Sequence, residues 1–181
     1  MTVTDAAYQT VSTYLVLYVL PAGVSLLGES RGTSLTGAPI TVGGSGSGTP
    51  PLTASTGGGA GTVTLADFSG DPTGTPVPGS GSTAYHDVNL SPGNSFTSIA
   101  VAFCDQLGAS TAYWWTGSAW QTVSNQTYES ATGCVAVTID ASTSPTLAEL
   151  GGQASRWRAV PAISDPPRSW AGCRGTNTWA T

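Results

Sequence analysis

Lysine is absent from this 181-residue chain, and its remaining basic side chains are five arginines and one histidine, His86. Charged residues make up only 8% of the sequence. A chain this poor in general bases, cationic binders and metal ligands has little from which to assemble an active site, and no metal or cofactor is expected. The net charge of -5 removes the positive footprint that nucleic acid or an anionic membrane surface requires, so neither is an expected partner. Long apolar runs are missing as well: TYLVLYVL, residues 13–20, is far short of the ~18 residues that span a bilayer. No Lys or Arg precedes that run, so MTVTDAAYQ does not read as a secretory signal. Export is then expected to use a signal already removed, or another route such as release with a virus particle. Before residue 145 no stretch holds a 3.6-residue apolar period, and the helix-like piece is Thr146 to Leu150, a turn or two.

What is present is 24 Gly, 22 Ser and 27 Thr, together with 12 Pro and dense Val, Thr, Tyr and Trp runs. This composition points to an all-β module with long Gly/Ser/Thr/Pro-rich loops, and 39% hydrophobic content is enough for a packed core. Ala7 to Leu20 reads as a strand that Pro21-Ala22-Gly23 stops. Leu15, Leu17 and Val19 lie on one face and Tyr14, Val16, Tyr18 and Leu20 on the other, so both faces are apolar. A strand in a two-sheet sandwich normally shows water one face, and this pattern calls for a further layer outside it, either the tail or a neighbouring subunit. Short strands follow at Val24 to Leu27 and Pro39 to Val42, then a flexible loop over Gly43 to Gly61. Strands resume at Thr62 to Phe68 and, after a second loop from Gly70 to Ser82, in AYHDVNL and FTSIAVAFC. A hairpin pairs Ser110 to Thr116 with Ala119 to Val123 about a Gly117 turn, and VAVTID closes the series.

After Gly152 the composition changes. Residues 154–181 carry four of the five arginines against one acid, a net of +3, whereas residues 1–153 carry one Arg against nine acids, a net of -8. The two parts should attract each other. The chain is therefore divided into a β-sandwich domain, 1–153, and an irregular Arg/Trp/Pro-rich arm, 154–181, that either docks Trp157, Ile163, Trp170 and Trp179 into grooves or is a cloning scar or an altered reading frame.

Three cysteines leave one unpaired if a disulfide forms. Cys104 and Cys134 each sit at the edge of a β-like run and are the favoured pair, with a loop that would stabilise by roughly 3 to 4 kcal/mol and imply an oxidising compartment. Three buried thiols, Cys173 among them, are the alternative.

The segment AYWWTGSAWQTVSNQTYESATGCVAVTIDASTSPTLAELGG resembles a recurrent hairpin unit of secreted bacterial cell-surface proteins built from Ig-like sandwiches, with Tyr113, Trp115, Gly117, Trp120, Tyr128, Gly133 and Cys134 in the matching places. YVLPAGVSLL is similar to the strand-Pro-Ala-Gly-strand corner of the same modules. The likeness covers about a third of the chain and implies an Ig-like or Greek-key sandwich in an extracellular structural or adhesive protein, with no catalytic residues to carry over. The Arg-rich tail departs from those modules, which finish in another apolar strand.

Several residues invite a chemical reading. Gly28-Glu29-Ser30-Arg31-Gly32 satisfies the GxSxG pattern of a hydrolase elbow, and Asp67 or Asp71 followed by His86 gives the Ser, Asp, His order. The elbow requires a helix after the serine, which TSLTGAPITVGG cannot form, so catalysis is not expected. Within Tyr85-His86-Asp87 adjacent strand residues face opposite ways, and His86 is expected at the surface. Asp67 and Asp71 could wrap a Ca²⁺, although turn-forming Asp is the simpler reading. Trp114, Trp115 and Trp120 cluster on one hairpin and could stack on a sugar ring, with one of Trp114 and Trp115 in the core. Asn89 and Asn125 begin N-glycosylation sequons.

The expectation from all of this is a non-enzymatic structural subunit of an extracellular or cell-surface assembly, such as a filament, a pilus-like fibre or an adhesive layer. Its partners would be copies of itself, joined by strand addition or tail docking through Tyr14, Leu15, Val16, Leu17, Tyr18, Val19, Arg156, Trp157, Arg158 and Trp170. A polysaccharide-binding or adhesion module and a virion decoration or tail protein are the alternatives.

Overall fold

β-branched and aromatic residues at period two give nearly every described segment of the chain an extended conformation, and apolar alternation decides which face of each strand turns inward. The computed structural model describes residues 2–4, 10–12, 14–33, 39–43, 52–78, 84–104, 110–151 and 156–161. The strands are β1 (Thr2–Thr4), β2 (Thr10–Ser12), β3 (Leu26–Thr33), β4 (Ile40–Val42), β5 (Leu52–Gly57), β6 (Thr62–Phe68) and β7 (Ala84–Leu90), then β8 (Ser98–Phe103), β9 (Ser110–Trp115), β10 (Trp120–Thr122), β11 (Gln126–Glu129), β12 (Cys134–Ile139) and β13 (Arg156–Pro161). One short helix, α1 (Leu147–Leu150), precedes β13.

The strands form an antiparallel sandwich. One sheet has the order β10-β9-β13-β7-β6-β3 and the other β11-β12-β8-β5-β4, with β1 and β2 as a separate pair. Successive hairpins, β4–β5, β6–β7, β9–β10 and β11–β12, stay within a sheet, while the connections between them cross from one sheet to the other. The core is built by both inner faces: Val63, Leu65, Val88, Leu90, Ala112 and Trp114 from the six-stranded sheet meet Leu52, Ile99, Val101, Phe103, Val135, Val137 and Ile139 from the five-stranded one. The all-β expectation therefore holds.

The disulfide is Cys104–Cys134. Phe103 of β8 pairs with Val135 of β12, so the two cysteines meet at the base of the excursion that leaves one sheet to form β9 and β10 in the other. Closing a loop of 30 residues removes unfolded-state entropy equivalent to about 3.5 kcal/mol. α1 starts with a capping box: Thr146 Oγ1 accepts from the Glu149 amide, and the Glu149 carboxylate accepts from the Thr146 amide at 2.7 Å.

Four local expectations are corrected. Ala7 to Leu20 is not one strand; Thr10–Ser12 is β2, and Tyr14 to Leu20 belongs to no ladder. The expected loop Gly43 to Gly61 contains β5, because Leu52 and Ala54 bury themselves against β8 and need few other apolar residues. The strand expected at Val24 to Leu27 starts at Leu26 and runs on to Thr33 as β3, so it takes in the GxSxG segment, where Gly28 and Gly32 serve packing. Val42 Cγ2 would stand 3.1 Å from a Cβ at Gly28, and a Cβ at Gly32 would overlap Ile40 Cγ2. The arm is not irregular throughout: Arg156–Pro161 is β13, inserted between β7 and β9, with Arg156 opposite Asp87 and Trp157 opposite both His86 and Trp114.

Candidate functional site

Parity along β6 and β7 sets the outer face of the six-stranded sheet. Val63, Leu65, Val88 and Leu90 point into the core, so Thr64, Ala66, Phe68, Tyr85, Asp87 and Asn89 point out. An outer face of a sandwich ordinarily meets water, yet Thr64, Ala66, Phe68, Asp87 and Asn89 are all buried. They are buried because Tyr14 to Leu20 lies across them as a third layer.

This strap is held by specific contacts. The Tyr14 hydroxyl donates to Asn89 Oδ1 at 2.8 Å, and Arg31 Nη1 donates to the Tyr14 carbonyl at 2.8 Å. The Tyr18 ring meets Phe68 edge-on with centroids 5.4 Å apart. The Tyr18 hydroxyl faces the Asp87 carboxylate; burial, then the charges of Asp87 and Glu29, push its pKa far above the usual phenol value. Tyr14, Val16, Tyr18 and Leu20 are half-buried, whereas Leu15, Leu17 and Val19 are 73%, 79% and 78% exposed. The chain then turns at Pro21, where the Val24 amide donates to the Pro21 carbonyl, and enters β3 through the exposed Leu26 and Leu27. The layer expected over this segment is not found among the described residues, since Leu15, Leu17 and Val19 stay exposed; the two-faced segment is instead itself a layer over the sheet. Its inward members, Tyr14, Val16 and Tyr18, are engaged with the chain's own sheet.

The other end of the same outer face carries an aromatic cluster. Trp115 and Trp120 lie 5.4 Å apart, Tyr85 packs 6.4 Å from Trp120, and Val77 covers them from the loop after β6. Trp120 Nε1 donates to the Thr75 carbonyl at 2.9 Å. Trp114 points the opposite way into the core. With Trp114 and Trp120 enclosed and Trp115 half-buried, the three rings do not form an open stacking platform.

His86 is not at the surface. It is fully buried on the core face of β7, its Nδ1 lies 2.6 Å from Asp67 Oδ1, and its ring stacks 5.4 Å from Phe103 of the facing sheet. The sequence held the signal, since His86 is in phase with Val88 and Leu90, and Asp67 with Val63 and Leu65. Ser30 is not joined to this pair: β6 stands between β3 and β7, and His86 Nε2 has no hydrogen-bond partner among the described residues. Asp71 instead binds the Thr73 amide and hydroxyl, each at 2.7 Å, so Asp67 and Asp71 do not share an ion site. Among the described residues no group of three or more His, Cys, Asp or Glu is placed to hold a metal.

The two sequons differ. Asn89 is buried beneath Tyr14 and cannot carry a glycan in the folded chain. Asn125 is exposed at the β10–β11 connection, with φ of 55° and its Nδ2 donating to the Thr138 carbonyl at 3.3 Å. Of the expected tail contacts, Arg156, Trp157 and Arg158 contribute backbone to β13, their side chains lie outside the described residues, and so does Trp170. Cys173 lies outside them too. Among the described residues no helix is long and apolar enough to cross a membrane. No family model, curated protein or solved structure matches this chain.

Proposed function

We propose that this protein is a non-enzymatic structural module of an extracellular or cell-surface assembly, joined to copies of itself through the outward face of the strap. One observation carries the reading: Leu15, Leu17 and Val19 recur at period two, each more than 70% exposed, on a segment whose other face is locked to the sheet. Isolated exposed leucines are ordinary, but three alternate apolar side chains on one extended segment present a strand-like reading surface. The scarcity of charge, the disulfide and the likeness to cell-surface sandwich modules support the location.

The test is sedimentation velocity with electron microscopy across a concentration series. The wild type is expected to self-associate, and Leu15→Ser/Leu17→Ser/Val19→Ser to weaken association by roughly tenfold or more at unchanged thermal stability. A wild type that stays monomeric at millimolar concentration overturns the reading.

A further inference from the structure

The geometry points to β3 as the strand-addition edge through which two copies pair about a twofold axis at Ser30, an inference that rests on the self-assembly reading above. Among the described residues the two sheets end in four edge strands: β10 and β4 with three residues each, β11 with four, and β3 with eight. Short edges are poor templates for another chain, so β3 is the edge with enough backbone to hold one.

The charges on β3 choose the partner and the register. Glu29 and Arg31 stand two residues apart on the outer face, opposite Ala66 and Thr64 of β6, each with its side chain 32% exposed, and Arg31 Nη2 reaches Glu29 Oε1 at 3.3 Å. In an antiparallel β3–β3 pair, continuing the outer face from one copy to the next requires that odd positions oppose odd positions. With Ser30 on the axis, Glu29 opposes the second copy's Arg31 and Arg31 opposes its Glu29, while a shift of the axis by one residue either way sets Glu29 against Glu29 or Arg31 against Arg31. Like charges directly opposite destabilise a strand pair and opposite charges stabilise it. The strand is therefore complementary to itself in one face-preserving register, as an isologous contact demands.

The inner face permits the approach. Gly28, Ser30 and Gly32 project little there, and the space above them is filled from within the chain by Val42 and Ile40. In the Ser30-centred register Gly28 opposes Gly32, so no bulky side chain meets another across the axis. The contact would join two six-stranded sheets into one and leave the Leu15, Leu17 and Val19 rows available for a second kind of contact, and two different isologous contacts on one chain propagate as a fibre.

The experiment is sedimentation velocity on the full chain, comparing wild type, Glu29→Arg, Arg31→Glu and the double exchange Glu29→Arg/Arg31→Glu. Each single variant places two like-charge pairs across the axis and is expected to weaken dimerisation roughly tenfold or more; the double exchange restores opposite charges, though not the Arg31 bond to the Tyr14 carbonyl, and should dimerise several-fold more tightly than either single variant. Hydrogen exchange provides a readout independent of the variants: the amides of residues 28–32 should gain protection as wild-type concentration rises. Self-association that neither single variant changes, or β3 amides indifferent to concentration, overturns edge pairing while leaving self-assembly standing. A wild type that never associates overturns both.

Discussion

Replacing His86 with leucine while Asp67 remains should be among the most damaging single changes available in this fold. Asp67 is 1% exposed and His86 fully buried, and their 2.6 Å contact is the polar interaction that crosses from β6 to β7 on the core face. Removing one member strands the other without its partner in a low-dielectric core, which costs about 3–5 kcal/mol for a buried pair. A domain of this size has only about 5–15 kcal/mol in total, and the loss corresponds to a melting temperature lower by roughly 6–20 °C. Asp67→Leu should cost a similar amount. The double variant Asp67→Leu/His86→Leu should behave differently: among the described residues Asp67 Oδ2 and His86 Nε2 have no hydrogen-bond partner, so the native pair is incompletely satisfied. Apolar groups of similar volume are then neutral or stabilising, by up to about 4 kcal/mol. Urea unfolding followed by tryptophan fluorescence measures all four proteins. Single variants that lose under about 1 kcal/mol, or a double variant whose loss equals the sum of the singles, would refute the idea of a closed, interacting pair.

Four further outcomes follow from the same structure. Gly32→Ala should lower the urea midpoint by an amount equivalent to about 1–3 kcal/mol through overlap with Ile40 Cγ2, and Gly32→Ala/Ile40→Leu, which lacks that methyl, should recover most of it; a neutral single variant contradicts the packing account. A chain ending before Arg156 should lose cooperative unfolding because β7 and β9 become separated edges, whereas one ending after Pro161 retains it, as circular dichroism during heating will tell. The raised pKa of Tyr18 makes its neutral form part of the fold: that stabilisation is complete below the ordinary phenol value of about 10 and falls as pH rises beyond it, so unfolding free energy between pH 9 and 11.5 should drop more steeply in wild type than in Tyr18→Phe. Passed through a secretory pathway that transfers oligosaccharide, the chain should carry glycan at Asn125 and none at Asn89, and peptide mapping that finds folded protein modified at Asn89 would contradict the buried position assigned to it.

The sheets were legible where each strand carries its own apolar alternation. Thr62 to Phe68, AYHDVNL, FTSIAVAFC, the tryptophan hairpin and VAVTID all lie where β6, β7, β8, β9–β10 and β12 stand, and the cysteine pairing followed from two strand edges. β5 was hidden because its hydrophobicity is supplied by its neighbour: Leu52 and Ala54 suffice when Val101 and Phe103 pack beside them. β13 was hidden because Arg156 to Ala159 offers only four alternating residues before Pro161, and its place is fixed by the ladders of two other strands. His86 and Asp67 were misplaced for a different reason. Their parity assigned them to the core, but an ionisable residue is ordinarily exposed, and parity was the better guide because each supplies the other's partner.

The ladders and contacts already made within the chain narrow how its copies can meet. Strand addition needs backbone that the chain's own fold does not occupy. β13 lies between β7 and β9 and can join a neighbour's sheet only by leaving this one, at the cost of both ladders. The inward side of the strap is likewise held, by Asn89, Arg31 and Phe68. β13 also takes the first part of the basic segment into the sheet, where the Arg156 backbone stands in register with Asp87. The exposed candidates among the described residues are the outward side chains of Leu15, Leu17 and Val19 and the edge of β3, one apolar and one charged. Their salt dependence therefore separates them. Association through the leucine row should hold or strengthen as ionic strength rises, whereas pairing through Glu29 and Arg31 should weaken, and a fibre that uses both should dissolve at high salt into pairs joined by the strap.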